Sequence, residues 1–372
     1  MSRDARKRQA GDDGRNPGGS ARAAARPTAR SRRSDAAARS GAAGTGATRS
    51  RAARGRDPRP AAESAAADGL VVGPVPALAR LTGVALLLAA VAGVAAVFPT
   101  YLVVGGDELS SATGVGGVLV AILVPAAHAT VGVLLVRGAV PKFGLAYAGV
   151  AGALALGQLL IEVYRGSSST SRPGVEVLAG ERVLTSSVEA GAGWVLGLVA
   201  LGLTVVAAVL GAVAWGRTVM EDGGALDQVR SVLAGAAVLL GVATVLCLAL
   251  PSADVPDQVV RDPSTGLETV VTAEGPQALL ERPGLALLGG LLLAGAVVLC
   301  SVIAPSLRPR LAVVGGLLAI SVTVLAAALT GMRDAAGSDD LEWTVPGAGL
   351  LLTGLGYAAL TAAAWRLRRG PA

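Results

Sequence analysis

Eight stretches of this 372-residue chain are apolar and long enough to cross a lipid bilayer, and nothing else in it constrains the fold so strongly. Crossing about 30 Å of hydrocarbon takes about 20 helical residues at 1.5 Å each. The stretches are Leu78–Phe98, Val115–Val136, Phe143–Ile161, Gly193–Trp215, Val232–Leu250, Leu285–Ile303, Leu311–Leu329 and Gly347–Trp365, and none carries a charged side chain near its middle. The hydrocarbon offers backbone N–H and C=O groups no water, so an apolar run inside it closes its hydrogen bonds internally, as a helix. The expected fold is an all-α integral membrane protein, a polytopic bundle of about eight transmembrane helices spanning residues 77–369.

The segments between the stretches set the direction. Basic residues collect at cytoplasmic span ends. Here Arg80, Arg137, Lys142, Arg230, Arg310 and the closing Arg366, Arg368 and Arg369 share one set of ends, whereas the first loop on the other side, Pro99–Gly114, has no base. Both termini are therefore expected in the cytoplasm. Lys7 and Lys142 are the only lysines beside many Arg, Ala and Gly, the usage of a GC-rich genome, and the expected location is a bacterial plasma membrane. Trp194 and Trp215 bracket the fourth stretch and Trp343 and Trp365 the eighth. These spacings are about 32 and about 33 Å of helix, which suits anchors in aromatic belts at the two interfaces.

Residues 1–76 are different material, with sixteen Arg and Lys, seven Asp and Glu, and no aromatic residue. The tail carries about +9 of charge and the rest of the chain about −3, giving the overall +6. Such a segment buries too little apolar surface to offset the entropy of ordering, so it is expected to be disordered. Its expected partners, beyond the bilayer itself, are anionic lipid head groups, worth about 1 kcal/mol per nearby base. Nucleic acid is not expected, because no aromatic side chain interleaves the arginines to stack on bases.

The spans are rich in Gly and Ala, which lets helix backbones touch in lipid. Gly193 and Gly197 have the Gly-x3-Gly spacing, a candidate face for an oligomer. The matching tryptophan brackets suggest a duplication of four plus four spans, which would be a parallel repeat. A second similarity, Arg230-x4-Gly235 against Arg310-x4-Gly315, relates the fifth and seventh stretches and suggests a two-helix unit instead.

Polar groups at membrane depth are the candidate functional residues. His128, the chain's only histidine, lies in the second stretch about 12 Å from the inner boundary, three residues after Pro125. Pro125 is expected to kink that helix and free a carbonyl. Tyr147 and Gln158 on the third stretch lie at about 6 and about 22 Å, neither level with His128. With Pro125, these four form a candidate intramembrane polar site. Asp107, Glu108 and Glu162 are candidate acidic residues of the outer face. Membrane glycosyltransferases that use polyprenyl-phosphate donors resemble this chain in having an acidic pair, here Asp107–Glu108, in the first outer loop, although their loops are longer than these sixteen residues. Asp334, Asp339, Asp340 and Glu342 read as a solvated acidic loop. Apolar β-branched runs around turn residues predict hairpins over Gly174–Ser187 and Gln258–Thr272.

One histidine cannot build the common catalytic metal centres, and no phosphate-binding Gly-x4-Gly-Lys-Ser/Thr loop occurs. Cys247 and Cys300 sit in apolar runs and read as small buried hydrophobes. No metal or cofactor is expected. The first functional reading is a non-enzymatic accessory or scaffold component of the bacterial envelope, with an envelope protein as partner. The alternative is a permease or channel for a weakly charged or lipid-like solute, and a third reading is a lipid-linked transferase.

Overall fold

The computed structural model describes residues 71–104, 107–112, 114–167, 175–178, 181–184, 188–221, 226, 229–254, 258–261, 268–271, 284–337 and 342–367. The basic tail up to residue 70, Asp339, Asp340, Arg368 and Arg369 lie outside the described residues.

The protein is an all-α bundle of eight long apolar helices. They are α1 (Ala77–Ala95), α2 (Gly114–Arg137), α3 (Pro141–Ser167), α4 (Ala192–Trp215), α5 (Arg230–Leu248), α6 (Leu285–Ile303), α7 (Arg310–Ala336) and α8 (Val345–Arg366). Six of them begin and end within three residues of the predicted stretches. The exceptions are α3 and α7, which run six and seven residues further, to Ser167 and Ala336. Hydropathy falls at Glu162, Arg165, Arg333 and Asp334, but the helices continue and those charges pair, Arg165 with Glu162 at 3.0 Å and Arg333 with Asp334.

Short strands tie the helix ends together. At the C-terminal end of α1, β2 (Thr100–Val104) pairs with β3 (Asp107–Ser110) on one side and with β6 (Val188–Ala190), which leads into α4, on the other. After α5, β8 (Ala253–Asp254) pairs likewise with β11 (Glu342–Trp343), which leads into α8. These lie on one face of the bundle, the strand face. On the opposite face, the turn face, β1 (Val71–Val72) pairs with β7 (Met220–Glu221), so structured chain reaches back into residues read with the tail. Two hairpins fall within the expected segments: β4 (Val175–Leu178) with β5 (Glu181–Leu184), and β9 (Gln258–Arg261) with β10 (Glu268–Val271).

The order of neighbours in the first four helices recurs in the last four. α1 packs on α2 and α4, and α4 on α3; α5 packs on α6 and α8, and α8 on α7. Between the halves, α3 packs on α7, α2 reaches α7, and α6 reaches α3. The result is two rings of five helices, α1-α2-α7-α3-α4 and α5-α6-α3-α7-α8, that share the α3–α7 seam. The four-plus-four repeat is thus the one the packing follows. The two-helix unit is not: α7 lies at the centre and α5 at the edge.

The seam helices are the most enclosed of the eight, and the others turn Leu and Val outward, as at Val91, Leu119, Leu239 and Leu352. With lipid as apolar as leucine, association depends on close backbone approach. Two glycine pairs supply it. Cβ atoms added at Gly83 and Gly132 would lie 2.8 and 2.9 Å from each other's carbonyl oxygens, joining α1 to α2. At Gly157 and Gly289 the corresponding distances are both 2.7 Å, joining α3 to α6 across the two halves. Buried hydroxyls are satisfied within their own helices, Thr82 on the Leu78 carbonyl and Thr244 on that of Leu240.

Candidate functional site

The centre of the second ring is filled. Tyr357 of α8 is fully buried, its hydroxyl 2.6 Å from Ser301 Oγ of α6 and donating to the Ala237 carbonyl of α5 at 3.1 Å. The centre of the first ring is not. Counting from the helix starts Ala192 and Val345, the α4 residue matching Tyr357 is Thr204. That smaller side chain leaves a cavity of about 620 Å³, lined by all five helices of the ring, by Leu293 of α6 and by Ser252 and Ala253. Its volume is within the range of small-molecule pockets.

Small residues make the walls: Ala89 and Gly93 on α1, Ala121 on α2, Ala151 and Ala155 on α3, Gly197 and Ala200 on α4, and Ala326 and Ala327 on α7. Helix α2 continues through Pro125, whose ring sits against Gly93; a Cβ there would come 2.9 Å from Pro125 Cγ. The carbonyl that Pro125 leaves without its helical donor is that of Ala121, itself a lining residue.

His128 is buried at the deep end. Its Nδ1 is 2.8 Å from the Val124 carbonyl, and its Nε2 lies 3.3 Å from Thr204 Oγ1. The Tyr147 hydroxyl is 3.4 Å from Nδ1, with the two rings edge-to-face at 82° and their centroids 5.6 Å apart. Tyr147 is therefore a partner of His128, contrary to the expectation that their depths differ too much. With α2 ending at Arg137 and α3 starting at Pro141, the two backbones differ in depth by only about 4–5 Å. The length of the phenol covers that. Thr204 was not singled out from the sequence; a lone threonine in an apolar helix carries no distinguishing signal.

Gln158 lines the shaft above His128, and the mouth at the strand face is polar. Glu162 and Arg165 form an ion pair there, the Tyr101 hydroxyl donates to the Glu162 carboxylate, and Trp194 Nε1 donates to the Glu162 backbone carbonyl at 2.8 Å. Burial, with the Glu162 charge second, pushes the Tyr101 phenol well above its ordinary value of 10.0. Asp334 lines the same mouth from α7, so it is not a residue of a solvated loop. Its neighbour Arg333 donates to the Ser111 carbonyl at 2.8 Å and fastens α7 to the start of α2. The spacing Glu162-x2-Arg165 was the available signal for this cluster, one helical turn that sets both side chains on one face.

The remaining candidates lie elsewhere. Asp107 and Glu108 are on β3, and Glu108 is exposed and accepts from Thr100 Oγ1 at 3.2 Å. Trp215 ends α4 with Lys142 Nζ 5.7 Å above its ring, while Trp343 precedes α8 and Trp365 lies in its last turn. Gly193 abuts the Pro99 carbonyl and Gly197 lines the cavity, so both glycines of the Gly-x3-Gly pair border the interior of this chain. Among the described residues no group of three or more His, Cys, Asp or Glu gathers in a metal-binding arrangement.

Comparison with protein-family models, curated proteins and solved structures returns no match. The geometry alone carries the functional reading. A deep, small-walled shaft with hydrogen-bonding groups at its base and charges at its mouth can admit and hold a small molecule.

Proposed function

We propose that this is a multi-pass protein of a bacterial plasma membrane that admits a small, weakly charged or lipid-like solute into its first ring, as a permease or solute-binding component does. The observation that carries the reading is the shaft from the Glu162–Arg165 mouth down to His128. A scaffold needs no such space, and the second ring illustrates how the same fold closes it with one tyrosine. The cytoplasmic side is the turn face, where Arg137, Lys142, Arg217, Arg308 and Arg366 gather at helix ends. The shaft then opens outward. The hairpins β4–β5 and β9–β10 favour, as a second reading, docking of an envelope protein on the strand face.

The test uses Gly197→Cys, because a Cβ at Gly197 meets nothing within 4 Å and the position lines the shaft. In intact cells, the impermeant cationic reagent methanethiosulfonate-ethyltrimethylammonium is expected to modify this cysteine well above the background of Cys247 and Cys300. Labelling no faster than in the parent protein would mean a closed bundle and would remove the reading.

A further inference from the structure

The base of the shaft specifies more than its volume does. Nδ1 of His128 lies 2.8 Å from the Val124 carbonyl, an oxygen that only accepts, so the proton of the neutral ring is on Nδ1 and Nε2 carries the unshared pair. The nearest donor to Nε2 is Thr204 at 3.3 Å, but its single proton has a closer acceptor, the Ala200 carbonyl at 2.8 Å. Among the residues that line the bottom of the shaft, Nε2 and Thr204 Oγ1 are thus two acceptors with no proton committed between them; the Tyr147 hydroxyl, 3.4 Å from Nδ1, does not line it. A buried acceptor left without a donor costs free energy, which a ligand bearing an O–H or N–H recovers.

Charge narrows the choice. Among the cavity-lining residues, the carboxylates and the guanidinium are all at the mouth: Glu162, Arg165 and Asp334. Glu162 is eleven residues beyond Ala151, the deepest lining residue of α3, and so about 16 Å away along the helix. A cationic amine at the base would have no counter-charge and an anion no cationic partner among the lining residues there, and burying an unpaired ion is prohibitive. Between base and mouth the walls are largely alanine, glycine and threonine, suited to an apolar body.

We infer that the shaft takes an uncharged aliphatic alcohol head-down, its hydroxyl donating to His128 Nε2 beside Thr204 and its chain lying along the alanine walls toward the Tyr101–Glu162 mouth. The inference rests on the uptake reading above and adds the ligand's class and polarity.

The experiment measures protection of Gly197→Cys from the same reagent, in right-side-out vesicles, by 1-dodecanol and by dodecyl methyl ether. The two probes share a chain and differ in the donor. The alcohol is expected to protect at a three- to tenfold lower concentration, the effect of one hydrogen bond. His128→Leu in the same background is expected to erase that difference while labelling continues, which also shows that the shaft is intact; Thr204→Val provides a second variant if His128→Leu does not reach the membrane. Equal protection by alcohol and ether, or protection by neither, with labelling still rapid, overturns the alcohol inference and leaves the uptake reading standing. Absence of labelling in the unprotected protein overturns both.

Discussion

Adding one methyl group at Gly157 should loosen the joint between the two halves of the protein. An alanine Cβ there would stand 2.6 Å from Leu293 N and 2.7 Å from the Gly289 carbonyl, where ordinary contact begins near 3.4 Å. Both obstacles are backbone of α6 and neither can rotate away, so the helices must separate by about 0.7 Å along the contact. Overpacking of this kind costs about 1–3 kcal/mol, against a gain of up to about 1 kcal/mol from alanine's better helix propensity. Gly149→Ala, on the same helix α3, is the matched control, because a Cβ there meets nothing within 4 Å. The net expectation is destabilisation for Gly157→Ala and neutrality or slight gain for Gly149→Ala. Reversible unfolding of the purified protein in mixed micelles, titrated with SDS, measures both. Adding Gly289→Ala should cost less in the Gly157→Ala background than alone, since the helices have already parted. Equal midpoints for the two single variants would refute the close approach of α3 and α6.

Three further outcomes are expected. Tyr357→Phe removes the hydroxyl shared by Ser301 and Ala237; Ser301 keeps its bond to the Val297 carbonyl, so the loss in the same unfolding assay should be about 1–2 kcal/mol. The Tyr101 phenol is held above its ordinary value, so as pH rises past about 10 the unfolded chain loses this proton first and folding stability falls. Tyr101→Phe should flatten the alkaline limb of stability against pH, and an unchanged limb would contradict the burial of the phenol beside Glu162. Arg333→Ala releases the start of α2 from α7, so cysteine labelling at position 197 should accelerate while the unfolding midpoint moves little.

The existence of the eight helices was legible because twenty apolar residues in a row have few other folds available. Their ends were less so. Hydropathy marks where a helix leaves the hydrocarbon and not where its hydrogen bonding stops, which is why Glu162 read as an outer-face residue and Asp334 as a loop residue when both are helical and line the mouth. His128 was identifiable as a lone polar group at depth, and Gln158 also lines the shaft. The partnership with Tyr147 was missed because depth was counted along backbones without the reach of the side chain, and Thr204 because threonine in an apolar helix usually bonds its own i−4 carbonyl, as this one does. The sheet β3-β2-β6 was missed although Tyr-Leu-Val-Val, Gly-Gly and Asp-Glu-Leu-Ser follow one another there as hairpin material.

The seam shared by the rings has a consequence for what each half is. Helices α1 to α4 alone make four sides of a ring and leave the fifth open, and helices α5 to α8 do the same; each half closes the other by lending it one central helix. That is the layout of a symmetric pair of subunits written into a single polypeptide. The two halves share a layout without sharing an interior: one keeps an open centre, and the other fills the matching place with Tyr357.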